Sequence, residues 1–193
     1  MKIAIFGGAF DPITNGHIAV CNYLIEKKIV DEVWVTPCYM SYYDKKMTPH
    51  DNRLEMCNMA VKNNNNSNIH VSDFEIVNKL CEESVDVMAK LIATYIDHQL
   101  YFVIGMDNAL KIHTWSGWEK LTNMLPFIII PRLGYECNHD LWFLKSPHIY
   151  ICEYIANITS STQVRCDLKN NGCSDLIDKT INCYIEDNHL YKN

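Results

Sequence analysis

The sequence predicts an α/β protein with a parallel sheet and helices on both of its faces. Short apolar runs alternate along the chain with segments of helical periodicity, which is the pattern of βαβ units. The first apolar run is followed at once by two glycines and then by a helical pattern. Because crossover connections are right-handed, we expect a Rossmann-like, doubly wound sheet with a small helical part at its C-terminal side.

Six strands are predicted where β-branched and aromatic apolar runs are bounded by polar or turn residues. They cover residues 2–6, 32–36, 69–71, 100–105, 127–131 and 148–151. Helices are predicted where apolar residues recur every three or four positions, as in the stripe Ile18, Cys21, Leu24 and Ile25. They cover residues 17–27, 52–61, 84–96 and 175–185.

The length of 193 residues predicts one domain. We expect a Rossmann-like core over about residues 1–155 and a helical segment over about residues 156–193. The stretch 62–68, which reads KNNNNSN, is predicted to be a polar surface loop without an apolar anchor.

Composition limits the partners of this chain. A net charge of −6 argues against a general nucleic-acid binder. No stretch has the roughly 18 apolar residues that span a bilayer. Nine cysteines without a CxxC pair or a zinc-ligand spacing predict a reducing compartment, with the thiols as small buried apolar groups. We expect a cytoplasmic protein, without excluding the nucleus, and homo-oligomerisation stays open.

The segment after the first strand predicts a phosphate site. It reads GGAFDPITNGH over residues 7–17. Two adjacent glycines lack the Cβ atoms that would hold the backbone away from a phosphate. A helix that begins near Gly16 directs free N–H groups at the same place, with Thr14 and His17 beside them. Walker and GxGxxG patterns are absent, which disfavours P-loop hydrolysis and dinucleotide oxidoreduction.

A second segment, TSSTQVR over residues 159–165, predicts a further phosphate cradle. Hydroxyl side chains at a helix start leave N–H groups pointing outward, and Arg165 lies on the same face as Thr162. The loop over residues 38–49 carries three tyrosines beside Lys45 and Lys46. This loop either closes over a bound nucleotide or is an exposed loop with extended lysines.

The two motifs together resemble the nucleotidyltransferase superfamily of adenylyl- and cytidylyltransferases. Three more stretches are similar to the bacterial-type nicotinate mononucleotide adenylyltransferases. They are IGMD at 104–107 with Trp115 after it, PRLGY at 131–135, and YIEDNHLY at 184–191. The resemblance covers nearly the whole chain in the family's order.

The resemblance implies adenylyl transfer from ATP to nicotinate mononucleotide, with nicotinamide mononucleotide as an open second substrate. It implies that His17 stabilises the α-phosphate, with Thr14 and Arg165 as the other catalytic residues. Two alternatives stay open: another adenylyltransferase, such as one acting on phosphopantetheine, and a non-catalytic nucleotide sensor.

The resemblance also implies the binding residues. For ATP they are Gly7, Gly8, Phe10, Lys45, Gly105, Asp107, Ser161 and Thr162. For the pyridine nucleotide they are Ser84, Trp115 and Arg132, with Trp118 as a rival to Trp115. Mg²⁺ is implied on the phosphates of ATP, without protein side chains as ligands.

The chain departs from the family's pattern at three places near the substrate. One is Ser116, where the family often has an aromatic residue or histidine after the stacking Trp. The family's Pro-Pro-His-Lys run is replaced by SYYDKK at 41–46, so either Lys45 or Lys46 is the phosphate contact. The family's Ser-Tyr-Thr is replaced by Glu82, Glu83 and Ser84. A glutamate beside a nicotinate carboxylate repels it unless Glu83 points away.

Overall fold

A computed structural model describes residues 1–40, 46–135, 140–154 and 159–192 of the protein. The strands in this part of the chain form one sheet in the order β3-β2-β1-β4-β5-β6, with every neighbouring pair parallel. They are β1 (Lys2–Gly8), β2 (Glu32–Pro37), β3 (Ile69–Val71), β4 (Gln99–Gly105), β5 (Phe127–Ile130) and β6 (Ile149–Tyr150).

Helices cover both faces of the sheet. They are α1 (Asn15–Glu26), α2 (His50–Asn64), α3 (Phe74–Val77), α4 (Ser84–Thr94), α5 (Met106–Ala109), α6 (Trp118–Met124), α7 (Ser161–Asn171) and α8 (Lys179–Asp187). Alternation along β1 sends Ala4 into a core shared with α1, α2, α7 and α8. It sends Ile3 and Ile5 into a second core shared with α4, α5 and α6. The predicted doubly wound α/β fold is confirmed.

The strand order creates a crevice between β1 and β4. The chain runs from β1 outward to β2 and β3, and then crosses back to β4 before continuing to β5 and β6. Connections from β1 and β4 therefore leave the sheet in opposite directions. Ligands of open α/β sheets bind at such a point, outside the carboxyl ends of the strands, where Gly8 and Gly105 lie here.

The predicted strands match the observed ones to within two residues, whereas several helices differ. The short helices α3, α5 and α6 were not predicted, because four to seven residues give too little periodicity to recognise. The last helix begins at Lys179 rather than at residue 175, because the Asp178 side chain caps the Thr180 N–H. In the described part of the chain, no helix has the length and apolarity needed to cross a membrane.

The prediction of a polar surface loop without an apolar anchor at residues 62–68 is wrong for residues 62–64, and the polar segment 65–68 that follows is held by side-chain amides. Residues 62–64 form the last turn of α2, and Asn65 ends the helix in the left-handed conformation that asparagine tolerates. The amides of Asn64 and Asn66 bond to Asn22 on α1. Asn63 bonds to Asp178 and Thr180 at the start of α8. The asparagines therefore join three helices through side-chain amides.

The expectation that the cysteines are buried apolar groups holds for only two of those described. Cys21 and Cys57 are buried in the core, and Cys38 is partly buried. The other described cysteines are exposed, and all of the described cysteines are free. They are Cys81, Cys152, Cys166, Cys173 and Cys183. The sequence reasoning failed here because it took the usual burial of cysteine as a guide to every position.

The division into a core and a helical segment near residue 155 stays a prediction, since residues 155–158 lie outside the described part. Packing favours a single domain. Val164 and Leu168 of α7 and Ile181 and Ile185 of α8 belong to the same buried cluster as Val33 of β2.

Candidate active site

A cavity of about 680 Å³ lies at the carboxyl edge of the sheet, over the crevice between β1 and β4. The ends of β1, β4 and β5 and the first turns of α1, α4 and α7 surround it. The structure brings most of the predicted site residues to its wall. They are Gly7, Gly8, Phe10, His17, Ser84, Gly105, Trp115, Arg132, Ser161, Thr162 and Arg165.

Two of the predicted residues that the structure describes are not on that wall, and the position of a third cannot be compared with it. Thr14 is buried behind His17. Asp107 is turned toward Arg132, whose Nε lies 3.1 Å from Asp107 Oδ1. Lys45 falls outside the described residues.

The two glycines of the first motif make room for aromatic rings. A Cβ on Gly7 would lie 3.3 Å from the Phe102 ring, and one on Gly8 would lie 3.3 Å from the Phe10 ring. Phe10 itself has a φ of 45°, a left-handed conformation that is costly for a bulky residue. Its buried ring packs edge-on against Phe6 and His17, which holds this conformation. The two glycines therefore allow the Phe10 and Phe102 rings to pack against the backbone.

The geometry around His17 defines which ring nitrogen carries its proton. Thr14 caps α1, and its backbone N–H donates to His17 Nδ1 at 2.9 Å, while its Oγ1 also lies 2.9 Å from Nδ1. A nitrogen that accepts a backbone N–H bears no proton, so neutral His17 is protonated on Nε2. Thr14 thus positions the imidazole, which leaves Nε2–H as the free donor.

The surroundings of His17 keep it uncharged at neutral pH. Burial lowers the pKa of His17 to about 4, and the nearby Arg132 cation acts in the same direction. The ring packs edge-on against the Phe6 and Phe10 rings, with centroids 5.8 Å and 5.1 Å away. A neutral imidazole with its proton on Nε2 is a hydrogen-bond donor to an anion.

The second motif is bonded directly to the first. Ser161 Oγ donates to the Pro12 carbonyl at 2.8 Å. Arg165 donates to the Asp11 carbonyl at 2.7 Å and to Thr162 Oγ1 at 3.1 Å. The start of α7 is therefore held against the loop after β1, and the two predicted cradles form one concave wall.

Thr159 and Gly16 make the closest approach between the two motifs. A Cβ on Gly16 would overlap Thr159 Oγ1, so only glycine fits at this position of α1. Thr159 Oγ1 is buried and has no hydrogen-bond partner among the described residues, although Thr159 lines the cavity. A buried hydroxyl without a partner beside a helix N-terminus suits a ligand oxygen. The sequence motif contained Thr159, but nothing in its pattern distinguished it from the serines that follow.

Asp11 connects four segments that are distant in sequence. Its carboxylate accepts a hydrogen bond from Tyr191 Oη at 2.5 Å and one from the Thr48 N–H at 3.3 Å, and its carbonyl holds Arg165. Burial and the Asp11 carboxylate both raise the pKa of Tyr191, so the phenol stays protonated as a donor. The segment after α8 thereby supports the first motif.

Arg53 of α2 is fully buried beneath the site and joins the loops that follow β1 and β2. Its guanidinium donates to the carbonyls of Ala9 and Cys38 at 2.6 Å each, Thr48 at 2.9 Å and Tyr39 at 3.0 Å. Sequence reasoning missed Arg53, which lies outside both motifs.

Glu75 of α3 is a second buried ionisable group, and it lines the cavity. Burial raises the pKa of Glu75 to about 7, against a hydrogen bond from the Tyr39 backbone and the Arg53 cation, which both lower it. The loop after β2 is therefore held on one side by Arg53 and on the other by Glu75.

The raised pKa of Glu75 predicts a pH-dependent stability. The folded protein retains this proton while the unfolded chain releases it between about pH 4.5 and 7, so Glu75 lowers the free energy of unfolding as the pH rises through that window. Glu75→Gln does not titrate. We expect its stability relative to the wild type to increase from pH 5 to pH 8 by on the order of 1–3 kcal/mol, measured by urea unfolding.

Glu55→Gln is the matched control, because it makes the same charge change at an exposed position of α2. It should show no such pH dependence. If Glu75→Gln and the wild type differ equally at pH 5 and pH 8, Glu75 does not titrate in this window.

The other end of the cavity is aromatic. Trp115 is half-buried on the wall, with its ring 6.4 Å from that of Phe102, whereas Trp118 packs from α6 against the core. Ser84, the first residue of α4, lies on the same wall. Gly105 leaves space for the Asp107–Arg132 pair, since a Cβ there would contact both side chains. This end suits a flat ring and a polar group beside it.

Within the described residues, no group of three or more His, Cys, Asp or Glu side chains is arranged to hold a metal ion. The polar groups on the wall are mainly N–H donors, hydroxyls and arginines, together with the carboxylates Asp11, Glu75 and Glu82. This donor set fits phosphate oxygens better than a bare cation.

Known proteins carry the same architecture. The cytidylyltransferase-like family matches residues 5–167. A probable nicotinate-nucleotide adenylyltransferase of Fusobacterium nucleatum is 31% identical over 98% of this chain and 100% of the relative. The nicotinate-nucleotide adenylyltransferase of Bacillus subtilis is 29% identical over 99% of this chain and 98% of the relative. The structure of Plasmodium falciparum nicotinic acid mononucleotide adenylyltransferase complexed with NaAD has a TM-score of 0.82 and 26% identity, covering 98% of this chain and 97% of its own.

The matches to the two relatives and to the solved structure extend over nearly the full length of both chains. The chain belongs to the cytidylyltransferase-like family and, within it, to the nicotinate-nucleotide adenylyltransferases.

Proposed function

We propose that this protein transfers the adenylyl group of ATP to nicotinate mononucleotide, producing the deamido dinucleotide and pyrophosphate. The observation that carries the proposal is the joining of the two phosphate-binding motifs into one wall, through Ser161 to Pro12 and Arg165 to Asp11. An aromatic end with Trp115 completes the cavity. Such a site accommodates two phosphate-bearing substrates and a flat ring.

The reaction requires alignment and charge stabilisation more than proton transfer. A phosphate monoester has a second pKa of about 6 and is largely dianionic at pH 7. One of its oxygens forms a bond to the α-phosphorus of ATP, and the bond from that phosphorus to the bridging oxygen breaks, so pyrophosphate leaves with the electron pair. No general base is needed, which agrees with a neutral His17 that donates from Nε2.

Roles for the wall residues follow from this scheme. His17 donates to a non-bridging oxygen of the α-phosphate, and Arg165 stabilises charge on the departing pyrophosphate. Thr14 is a positioning residue that acts through His17. The backbone at Gly7, Gly8 and Phe10, together with Ser161 and Thr162, binds the phosphates of ATP.

The remaining assignments concern the two nucleosides and the metal. Gly105 holds hydroxyls or base edges of the adenosine, whereas Asp107, predicted for the same role, is turned away from the cavity and positions Arg132. Trp115 stacks on the pyridine, Ser84 receives its carboxyl group, and Arg132 contacts an anionic group of the substrate. Mg²⁺ enters with ATP, held by phosphate oxygens and water.

One assay tests the proposal directly. Purified protein is incubated with Mg-ATP and, in separate reactions, with nicotinate mononucleotide, nicotinamide mononucleotide or phosphopantetheine, and pyrophosphate release is followed. We expect release with nicotinate mononucleotide above all. Release only with phosphopantetheine would identify a different adenylyltransferase, and ATP binding without release in any reaction would identify a nucleotide sensor.

A further inference from the structure

The pyridine end of the cavity includes an uncapped helix N-terminus. No side chain caps α4, and its first hydrogen bonds run from the Asp86 and Val87 N–H groups to the Glu83 carbonyl. The N–H groups of Ser84 and Val85 precede these bonds, so they carry the positive end of the helix dipole. Ser84 and Val87 lie on the cavity wall. This end favours a carboxylate over a neutral amide.

Glu82 lies just before the start of α4, and its negative charge opposes the positive end of the helix dipole. Glu82, and not Glu83, lines the cavity, which resolves which of the two carboxylates faces the substrate. An unpaired Glu82 carboxylate would repel the carboxylate of nicotinate and would accept a hydrogen bond from the amide of nicotinamide. The side chain would therefore reverse the preference created by the start of α4.

Lys90, one and a half turns along α4, cancels that charge. Its Nζ lies 2.6 Å from Oε1 and 2.7 Å from Oε2 of Glu82, so it engages both carboxylate oxygens. The Glu82 and Lys90 side chains are 34% and 47% exposed. The pair adds little to stability at this exposure, but it removes a net negative charge from the wall where the pyridine substituent would lie.

We propose that Lys90, acting through Glu82, sets the preference of this protein for nicotinate over nicotinamide mononucleotide. The inference rests on the proposed function. Lys90 is a specificity residue that need not touch the substrate, because it acts by neutralising a carboxylate that does line the site. The neutralisation removes a repulsion from the charged pyridine substituent, and it weakens a hydrogen-bond acceptor for the amide, so both effects favour nicotinate.

The test compares four proteins on two substrates. For the wild type, Lys90→Gln, Glu82→Gln and the double variant, kcat/KM is measured with nicotinate and with nicotinamide mononucleotide at saturating Mg-ATP. Lys90→Gln should lower the nicotinate-to-nicotinamide ratio about three- to tenfold, through a higher KM for nicotinate mononucleotide. Glu82→Gln should keep the ratio at or above that of the wild type. The double variant should restore the ratio lost in Lys90→Gln.

Two controls separate charge from structure. Lys120→Gln makes the same charge change at an exposed position of α6 away from the cavity wall, and its ratio should equal that of the wild type. The effect of Lys90→Gln should also be smaller in about 0.5 M salt, because the electrostatic screening length there is well below about 10 Å.

The outcomes distinguish this inference from the function on which it rests. A wild-type protein that turns over neither pyridine mononucleotide overturns both. With an active wild type, the inference fails if Lys90→Gln changes both substrates equally, if its ratio stays within twofold of the wild type, or if the double variant does not recover.

Discussion

Replacing His17 with alanine should lower kcat by about 10²- to 10³-fold, the usual loss when one preorganised donor to a developing anion is removed. The reason is geometric. Nδ1 is occupied by the Thr14 N–H, so the only donor of the neutral ring is Nε2–H, and alanine supplies none. The KM values should change by less than about threefold, because this contact is strongest in the transition state. Steady-state pyrophosphate release measures both constants.

The pH profile distinguishes a donor from a general base. The acid limb near pH 6 belongs to the phosphate of the substrate, so His17→Ala should retain the shape of the profile at reduced height. A histidine with its pKa lowered to about 4 does not contribute a limb near pH 6.5. If His17→Ala instead loses the acid limb of the profile, His17 acts as a base.

His70→Ala on the edge strand β3 is the matched control, since it removes an exposed imidazole far from the cavity wall. Its kcat should equal that of the wild type. Activity of His17→Ala above a tenth of the wild-type value would contradict the assigned role.

The strands of the sheet were predictable because they are short runs of β-branched and aromatic residues, which favour extended structure wherever they occur. Residues 69–71 were predicted to the residue. The helices were predictable where an apolar stripe was long enough, as in α1 and α4, and not where helical structure depends on a single turn. The helical and hydrogen-bonded state of residues 62–66 was not predictable, because side-chain amides bonding to Asn22 and Asp178 have no periodicity in sequence.

The site was predictable where a motif places side chains by local geometry. Thr14 and His17 form a capping box within one turn, so their relation follows from the sequence alone. Asp107, in contrast, is turned toward Arg132, which lies on the neighbouring strand end. Contacts between distant segments, such as Tyr191 to Asp11, carry no local signal.

The sequence does contain a signal that Arg53 is buried. It stands three, four and seven residues before Met56, Cys57 and Ala60, so helical spacing places a cation on the buried stripe of α2. A charged residue on such a stripe is expected to bond with the backbone around it, because a buried cation without partners is too costly. The structure supplies four carbonyls from two loops.

Replacing Arg53 with methionine should lower the free energy of unfolding at pH 7 by about 3–5 kcal/mol, since the four partly buried carbonyls it satisfies lose their donor together. These carbonyls belong to Ala9, Cys38, Tyr39 and Thr48. Methionine fills most of the volume, so the loss reports on hydrogen bonding more than on a cavity. Urea unfolding at pH 7 measures the difference.

Arg53→Lys refines the same experiment, because it keeps the charge and gives up the planar fork. One ammonium cannot reach carbonyls on both the loop after β1 and the loop after β2, so about half of the loss should remain. Lys62→Met, an exposed change on the same helix, should stay within about 0.5 kcal/mol of the wild type. If Arg53→Met were as stable as Lys62→Met, the loops would be held by other contacts. If Arg53→Lys folds but binds ATP weakly, Arg53 also shapes the cavity wall to which Ala9 and Cys38 belong.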